Sequence, residues 1–277
     1  MTTTVGILHP GAMGSELAAC CNAEHRLWVV AGRSAATVQR ADEAGLEAVR
    51  TVDEICGRAD LVVSICPPAA AAAVAREVAE AGFDGIYLDA NAISPDHSRS
   101  IGRLFERFVD GSVVGPPPTV PGAARLYVSG PSELTELIER LWAGSNLEVR
   151  SVGPQLGAAS ALKMAYAGWT KGSSALLLAV AALAEVEGVT EALRAEWDLS
   201  QPELAARLDA GATRGAPKAW RFGAEMEEIA STLADAGLPA GFHVAAAEVY
   251  NRLASFKDRE PTAAEVLDQL SGQAMDW

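Results

Sequence analysis

Residues Val5 to Cys21 read VGILHPGAMGSELAACC. An apolar run, a Pro/Gly cluster and a helix-like pattern follow one another, the layout of a strand, a tight loop and a helix start. A loop of this kind cradles phosphate when glycines let the backbone come close and when the free N–H groups and dipole of the helix face the anion. The G-x-G-x-x-G spacing is incomplete here. Its six positions are His9, Pro10, Gly11, Ala12, Met13 and Gly14, so the first glycine is missing. A residue before proline favours extended backbone, so His9 is expected to prolong the strand and Pro10 to begin the turn. Pro10 has no N–H, which leaves Gly11, Ala12 and Met13 as the expected phosphate donors. A lone G-x-x-G is equally a packing turn, but a place in the first strand of a long β/α alternation favours the cradle.

That alternation covers the first half of the chain. TVGIL, RLWVVAG, ADLVVSIC and GIYLDA read as strands, each followed by a helical segment, near 14–22, 35–44, 69–81 and 96–106. RFVDGSVVG, RLYVSG, a helix over 132–141 and LEVRSV follow. Apolar strands joined by helical crossovers imply a mainly parallel sheet covered on both faces. Strand signals stop near Gly153. One long helix is expected over 155–187 and further helices over 191–197, 202–208, 220–236, 242–256 and 262–270, with a break at DAGATRGAPK. The expected architecture is an α/β Rossmann-type domain over 1–154 and an all-α domain over 155–277.

The end of the second strand decides which dinucleotide fits. About 20 residues beyond the glycines an NAD site carries an acidic residue for the ribose 2′-hydroxyl. Here VVAGRSAATVQR has none; Arg33 and Ser34 occupy the slot, with Arg40 further on. A guanidinium and a hydroxyl suit a 2′-phosphate, so the expected cofactor is NADP(H). Cys66 and Pro67, at the end of the ADLVVSIC strand, are expected beside it.

The bulk properties narrow the rest. The chain has 277 residues, 49% hydrophobic and 21% charged, with a net charge of −14 that argues against nucleic-acid and anionic-membrane partners. Cys20, Cys21, Cys56 and Cys66 show no C-x-x-C pair and read as reduced thiols of a cytoplasmic protein. Four scattered histidines give no metal spacing. The longest apolar run, Gly172 to Ala184, is short of the about 20 residues a spanning helix needs, and no secretory leader is expected before the first strand.

Four segments, in order, carry a family likeness: GILHPGAMGSELA, DANAISP, FVDGSVVGPPP and GPQLGAASALKMAYAGWTKG. With them the chain resembles the 3-hydroxyisobutyrate / 6-phosphogluconate dehydrogenase-like superfamily, which includes β-hydroxyacid dehydrogenases and imine reductases, in a branch with its own C-terminal helical domain. The resemblance implies nicotinamide-dependent oxidoreduction, Asn91 of the second segment near the cofactor, and Lys163 as the catalytic lysine. It implies a substrate loop at Val114, Gly115 and Pro116. It also implies a homodimer through the helical domain, which would close a substrate cleft. Three departures stand out. Ala167 occupies the place of the family's asparagine, Val114 that of a serine, and Pro116 that of a glycine. A simple 3-hydroxyacid substrate therefore does not follow.

The residues of the long helix support lysine chemistry on their own. Lys163, Tyr166, Ala167, Thr170 and Lys171 recur at spacings of one helix face. The following SSALLLAVAALA is apolar all round and is expected to be buried, so the lysines would need a cleft. Reduction of C=O or C=N leaves a heteroatom that must gain a proton, which an ammonium donates; the amine acts as base in reverse. Lys163 is the expected donor, with Tyr166 or Lys171 assisting and Thr170 on the substrate side. An NADPH-dependent imine reductase and a non-catalytic NADP(H) sensor remain as alternatives. Trp169 and Trp220 are expected to pack in the core, and EMEEIA to be a solvated helix face.

Overall fold

The computed structural model describes residues 3–272. Two compact units divide between Met164 and Ala165. This lies inside the long helix and ten residues beyond the expected boundary at 154, because the first turns of that helix are anchored to the sheet.

The first unit holds eight strands: β1 (Thr4–Ile7), β2 (His25–Val29), β3 (Glu47–Val49), β4 (Leu61–Ser64), β5 (Ile86–Asp89), β6 (Phe108–Val114), β7 (Ala124–Ser129) and β8 (Leu147–Ser151). Their spatial order is β3-β2-β1-β4-β5-β6-β7-β8. All neighbours are parallel except β6 and β7. Helices α1 (Ala12–Ala19), α2 (Ala35–Glu43), α3 (Val52–Cys56), α4 (Ala71–Glu80), α5 (Pro95–Gly102) and α6 (Ser132–Leu141) lie between the strands in sequence. Alternate strand residues enter two separate cores. Leu61, Val63, Ile86 and Leu88 belong to one, and Val62 and Tyr87 to the other. Apolar burial on both faces explains the unbroken apolar runs of β4 and β5. The Trp142 indole ties α6 to α1 by donating to the Leu17 carbonyl at 2.8 Å.

The sequence reading overlooked β3 and α3. β3 has three residues at a sheet edge, two of them exposed. α3 spans barely more than a turn, started by the Thr51 hydroxyl accepting from Glu54 N. Neither is long enough to show a period.

The long helix α7 (Ala158–Val186) crosses the division. In the second unit it is followed by α8 (Thr190–Ser200), α9 (Leu204–Ala210), α10 (Ala219–Asp235), α11 (Gly241–Arg252) and α12 (Ala263–Ser271). The expected break at DAGATRGAPK is instead helical. A π turn over Gly211–Gly215 and a 3-10 turn over Ala216–Lys218 link α9 to α10. Pro217 sits in the first turn of that 3-10 segment, where its missing N–H has no helical partner to lose.

Helix α7 is long and apolar enough to cross a membrane by length and composition, and one third of its most apolar stretch is buried within the chain. The expectation of full burial is therefore corrected. Trp169, Leu176 and Leu183 are 70%, 61% and 59% exposed.

Candidate functional site

The sheet order reverses direction between β1 and β4, and open α/β sheets bind ligands beyond the strand ends at such a point. The HPGAMG loop leaves β1 there. Gly11 is the extended N-cap of α1, which has no acidic residue in its first turn and no side-chain cap. The Gly11 N–H, expected to face phosphate, instead donates to the His9 carbonyl at 2.8 Å. The N–H groups of Ala12, Met13 and Gly14 find no acceptor among the described residues. A Cβ on Gly11 would meet open space, whereas one on Gly14 would lie 2.5 Å from the His9 carbonyl oxygen. Gly11 thus leaves room for a ligand and Gly14 lets the helix close on the strand. Three free donors, open space above them and no competing carboxylate fit a dinucleotide pyrophosphate.

β1 ends at Ile7, so His9 does not prolong the strand as expected but lies two residues beyond it. Its imidazole is largely buried and Nδ1 has no partner. Burial, with the nearby Arg33 charge, lowers its pKa to about 4, so the ring is neutral near pH 7. The Arg33 guanidinium folds across the ends of the first two strands, donating to Leu8 O at 3.3 Å and Val29 O at 3.4 Å. Ser34 is the N-cap of α2: its hydroxyl accepts from Thr37 N and lies 3.1 Å from Thr37 Oγ1. Arg40 in turn reaches Thr37 Oγ1. Thr37, which the sequence reading missed, therefore links the two. An S-x-x-T spacing at a helix start is the signal that could have found it.

On the other side of the crevice, Asn91 is buried and hydrogen-bonded through both ends of its amide. Its Oδ1 accepts from Cys66 N at 2.6 Å and its Nδ2 donates to Ser64 Oγ at 3.0 Å. Its amide fixes the turn that carries Cys66 and Pro67. Burial pushes the Cys66 thiol up to about 11, which keeps it protonated.

Two buried carboxyl groups sit side by side on adjacent strands, Asp89 on β5 and Asp110 on β6. Asp110 accepts from the hydroxyls of Ser98, Ser129 and Ser160 and from Ser160 N. Asp89 accepts from Asn91 N, and its Oδ2 has no partner. Burial, with Asp110 nearby, raises Asp89 to about 7 despite that hydrogen bond. Asp110 and Ser129, which also accepts from Ala159 N, pin the first turn of α7 to the sheet. Lys163 lies one turn further on. Its Nζ donates to the Val113 carbonyl of β6 at 2.8 Å. One strand thus anchors both the helix and its lysine.

The proposed substrate loop divides. Val114 is 3% exposed, so its side chain belongs to the core and not to a substrate surface. Gly115 has φ +115, and a Cβ there would lie 2.2 Å from Ala123 O, so only glycine fits; Gly115 and Pro116 are exposed.

In the helical unit, Tyr166 is exposed, and the Thr170 hydroxyl donates back to Tyr166 O. Lys171 forms an ion pair with Glu225 of α10 and lies 4.3 Å from the Phe222 ring. Desolvation lowers the Lys171 pKa against the opposing pull of Glu225. Glu225 is buried, which corrects the reading of EMEEIA as solvated. Its spacing from Phe222 and Ile229 was the available signal. His243 of α11 bonds Gly168 O at 3.1 Å, and a Cβ on Gly172 would lie 3.0 Å from its Nε2, so both glycines admit the imidazole. Trp169 and Trp220 are exposed rather than core residues.

Comparison with known proteins supplies context. Residues 184–253 match a family profile described as a domain of unknown function, DUF1932. An uncharacterized 28.5 kDa protein of Methanothermus fervidus is 29% identical over 167 residues, 59% of this chain; the match spans 63% of that protein's length. A conserved hypothetical protein from Sinorhizobium meliloti is 27% identical, with a TM-score of 0.68 over 99% of this chain and 97% of its own. The Mycobacterium tuberculosis 3-hydroxyisobutyrate dehydrogenase solved with L-serine has a TM-score of 0.69 at 16% identity, over 99% and 100% of the two chains. A reductive aminase from Aspergillus terreus, solved with NADPH and ethyl levulinate, has a TM-score of 0.56 at 19% identity, over 97% and 99%. The chain has the two-domain fold of the dehydrogenases its motifs resemble.

Proposed function

We propose that this chain is an NADP(H)-dependent oxidoreductase that interconverts an alcohol and a carbonyl, with Lys163 as general acid and base. The observation that carries the reading is the set of Ala12, Met13 and Gly14 N–H groups with no acceptor among the described residues, at the reversal of strand order and with Arg33 beside it. Those N–H groups would hold the pyrophosphate. Arg33, with the Ser34 and Thr37 hydroxyls, would hold the 2′-phosphate. Bound there, the nicotinamide supplies or accepts hydride. Lys163 holds the proton that a carbonyl oxygen needs as it becomes an alcohol, and the Val113 carbonyl keeps its ammonium in place. Neutral His9 adds no charge beside Arg33. The likeness to the dehydrogenase and to the reductive aminase supports hydride chemistry and leaves C=O and C=N both in view; retention of a lysine favours C=O.

A soluble cytoplasmic protein acting on a small molecule fits the four free thiols and the acidic net charge. Two copies would pair through the exposed stripe of Trp169, Leu176 and Leu183, spaced by seven, together with Phe242. The decisive experiment is NADPH and NADH titration by cofactor fluorescence, followed by NADPH oxidation with carbonyl and imine panels. Tight NADPH binding with carbonyl turnover supports the reading. Turnover of imines alone moves it to an imine reductase, binding without any turnover moves it to a sensor, and absence of NADPH binding overturns it.

A further inference from the structure

A second site lies wholly within the helical unit. Between α7, α9, the π turn and α10, a pocket of about 340 Å³ is lined by Thr170, Lys171, Ser174, Arg207, Arg214 and Lys218. Four cationic side chains converge here in a chain of net charge −14. The Glu225 carboxylate is already taken by Lys171. Arg214 and Lys218 make no ion pair or hydrogen bond among the described residues. Arg207 makes one hydrogen bond, to the Ser173 hydroxyl at 3.1 Å. Burial disfavours the charged form of Lys171, and the like charges of Arg221 and Lys218 add to that effect.

Gathering unpaired cations costs folding free energy, and sequences tolerate such costs chiefly where a ligand repays them. The backbone is shaped for the same place. The π turn, a form concentrated at functional sites, carries Arg214. A Cβ on its first residue, Gly211, would lie 2.8 Å from Ser174 Oγ, so glycine lets the turn close against α7. The Tyr250 hydroxyl donates to Lys171 O at 2.8 Å and also bonds Ser174, which fixes the floor.

We propose that this pocket binds the phosphate group of a small phosphate ester. Arginine forks present paired donors that match phosphate oxygens, and lysines add point charge. The volume admits a small molecule and not a polymer. The inference stands apart from hydride transfer, because none of these residues belongs to the Gly11–Gly14 loop or the Arg33 corner.

The test is calorimetric titration of the full-length protein with inorganic phosphate, phenyl phosphate and succinate. The comparison variants are Arg214→Ala/Lys218→Ala and Arg33→Ala. Saturable phosphate binding should weaken at least about tenfold in the double variant, given the strength of charge-assisted contacts, and should persist in Arg33→Ala. Phenyl phosphate binding as tightly as phosphate or tighter identifies an ester site; phosphate alone binding identifies a free-anion site and overturns the ester. Tighter succinate binding overturns the phosphate assignment. Loss of binding only in Arg33→Ala places the anion at the α1–α2 corner and overturns the pocket, as does no saturable binding of any probe at millimolar concentration. Thermal stabilisation by phosphate, present in wild type and absent in the double variant at equal starting stability, separates lost binding from lost folding.

Discussion

Lys163 and Lys171 are eight residues apart on one helix, yet the two units hold them by opposite means. In the sheet unit the Lys163 ammonium donates to a neutral backbone carbonyl. In the helical unit the Lys171 ammonium is locked to a buried carboxylate among further cations. A carbonyl accepts a hydrogen bond without bringing a countercharge. A carboxylate stabilises the charged form and fixes its position. Under the proposed function, the contrast sets a lysine placed for proton transfer against one whose charge is held by a carboxylate.

The largest expected effect tests the first half of that contrast. Lys163→Ala should lower turnover by about 10²–10⁴ while leaving NADPH affinity nearly intact, and Lys163→Arg should not restore it. Measured kcat and Kd check this; full activity in the alanine variant would end the catalytic assignment. Next comes Glu225→Gln, which strands a desolvated ammonium. The pair is 21% and 11% exposed, so the loss should fall near or below the low end of the about 3–5 kcal/mol seen for fully buried pairs, read by urea unfolding. Lys171→Met/Glu225→Leu should recover most of it, since an apolar pair of similar volume avoids both desolvation costs. An undamaged Glu225→Gln would show that the carboxylate does not hold Lys171.

Arg33→Ala should cost about one to two powers of ten in NADPH affinity, from the loss of a contact worth about 1.5–3 kcal/mol, and little in NADH affinity. Equal losses for both would remove the 2′-phosphate role. The smallest effect is a pH dependence. His9 has a folded pKa of about 4 against 6.5 in the unfolded chain, so its neutral form is favoured by folding. That contribution is complete above about pH 6.5 and is lost as pH falls from there toward 4. His9→Asn should flatten the acid side of the stability profile in this window. Asp89 runs the other way: its raised pKa favours the neutral acid, so its share of stability is lost as pH rises from 3.8 toward 7, and Asp89→Asn should flatten that arm.

Much of the fold was legible because long elements repeat their burial period. Ser132–Leu141 matches its expectation residue for residue, and the start of α7 falls three residues after the expected start at 155. Elements shorter than a period left no trace, as with β3 and α3. Proline and glycine misled at 211–218, since the same residues that break a regular helix also permit π and 3-10 turns.

By itself, the sequence determined the strand-loop-helix cradle, the doubly covered sheet, the change to helices near 153, and Lys163 and Arg33 as the charged candidates. These are local: each follows from spacing, backbone freedom or the period of one element. Tertiary structure decided which polar groups were already spent. It gave Asn91 to Cys66 and Ser64, Gly11 N–H to His9, Ser34 to Thr37 and Lys171 to Glu225. It also left one face of α7 uncovered and drew Arg207, Arg214 and Lys218 toward one pocket. Hydrogen-bond partners and desolvation depend on residues far apart in the chain, and a pattern of residue types along one strand or helix carries no record of them.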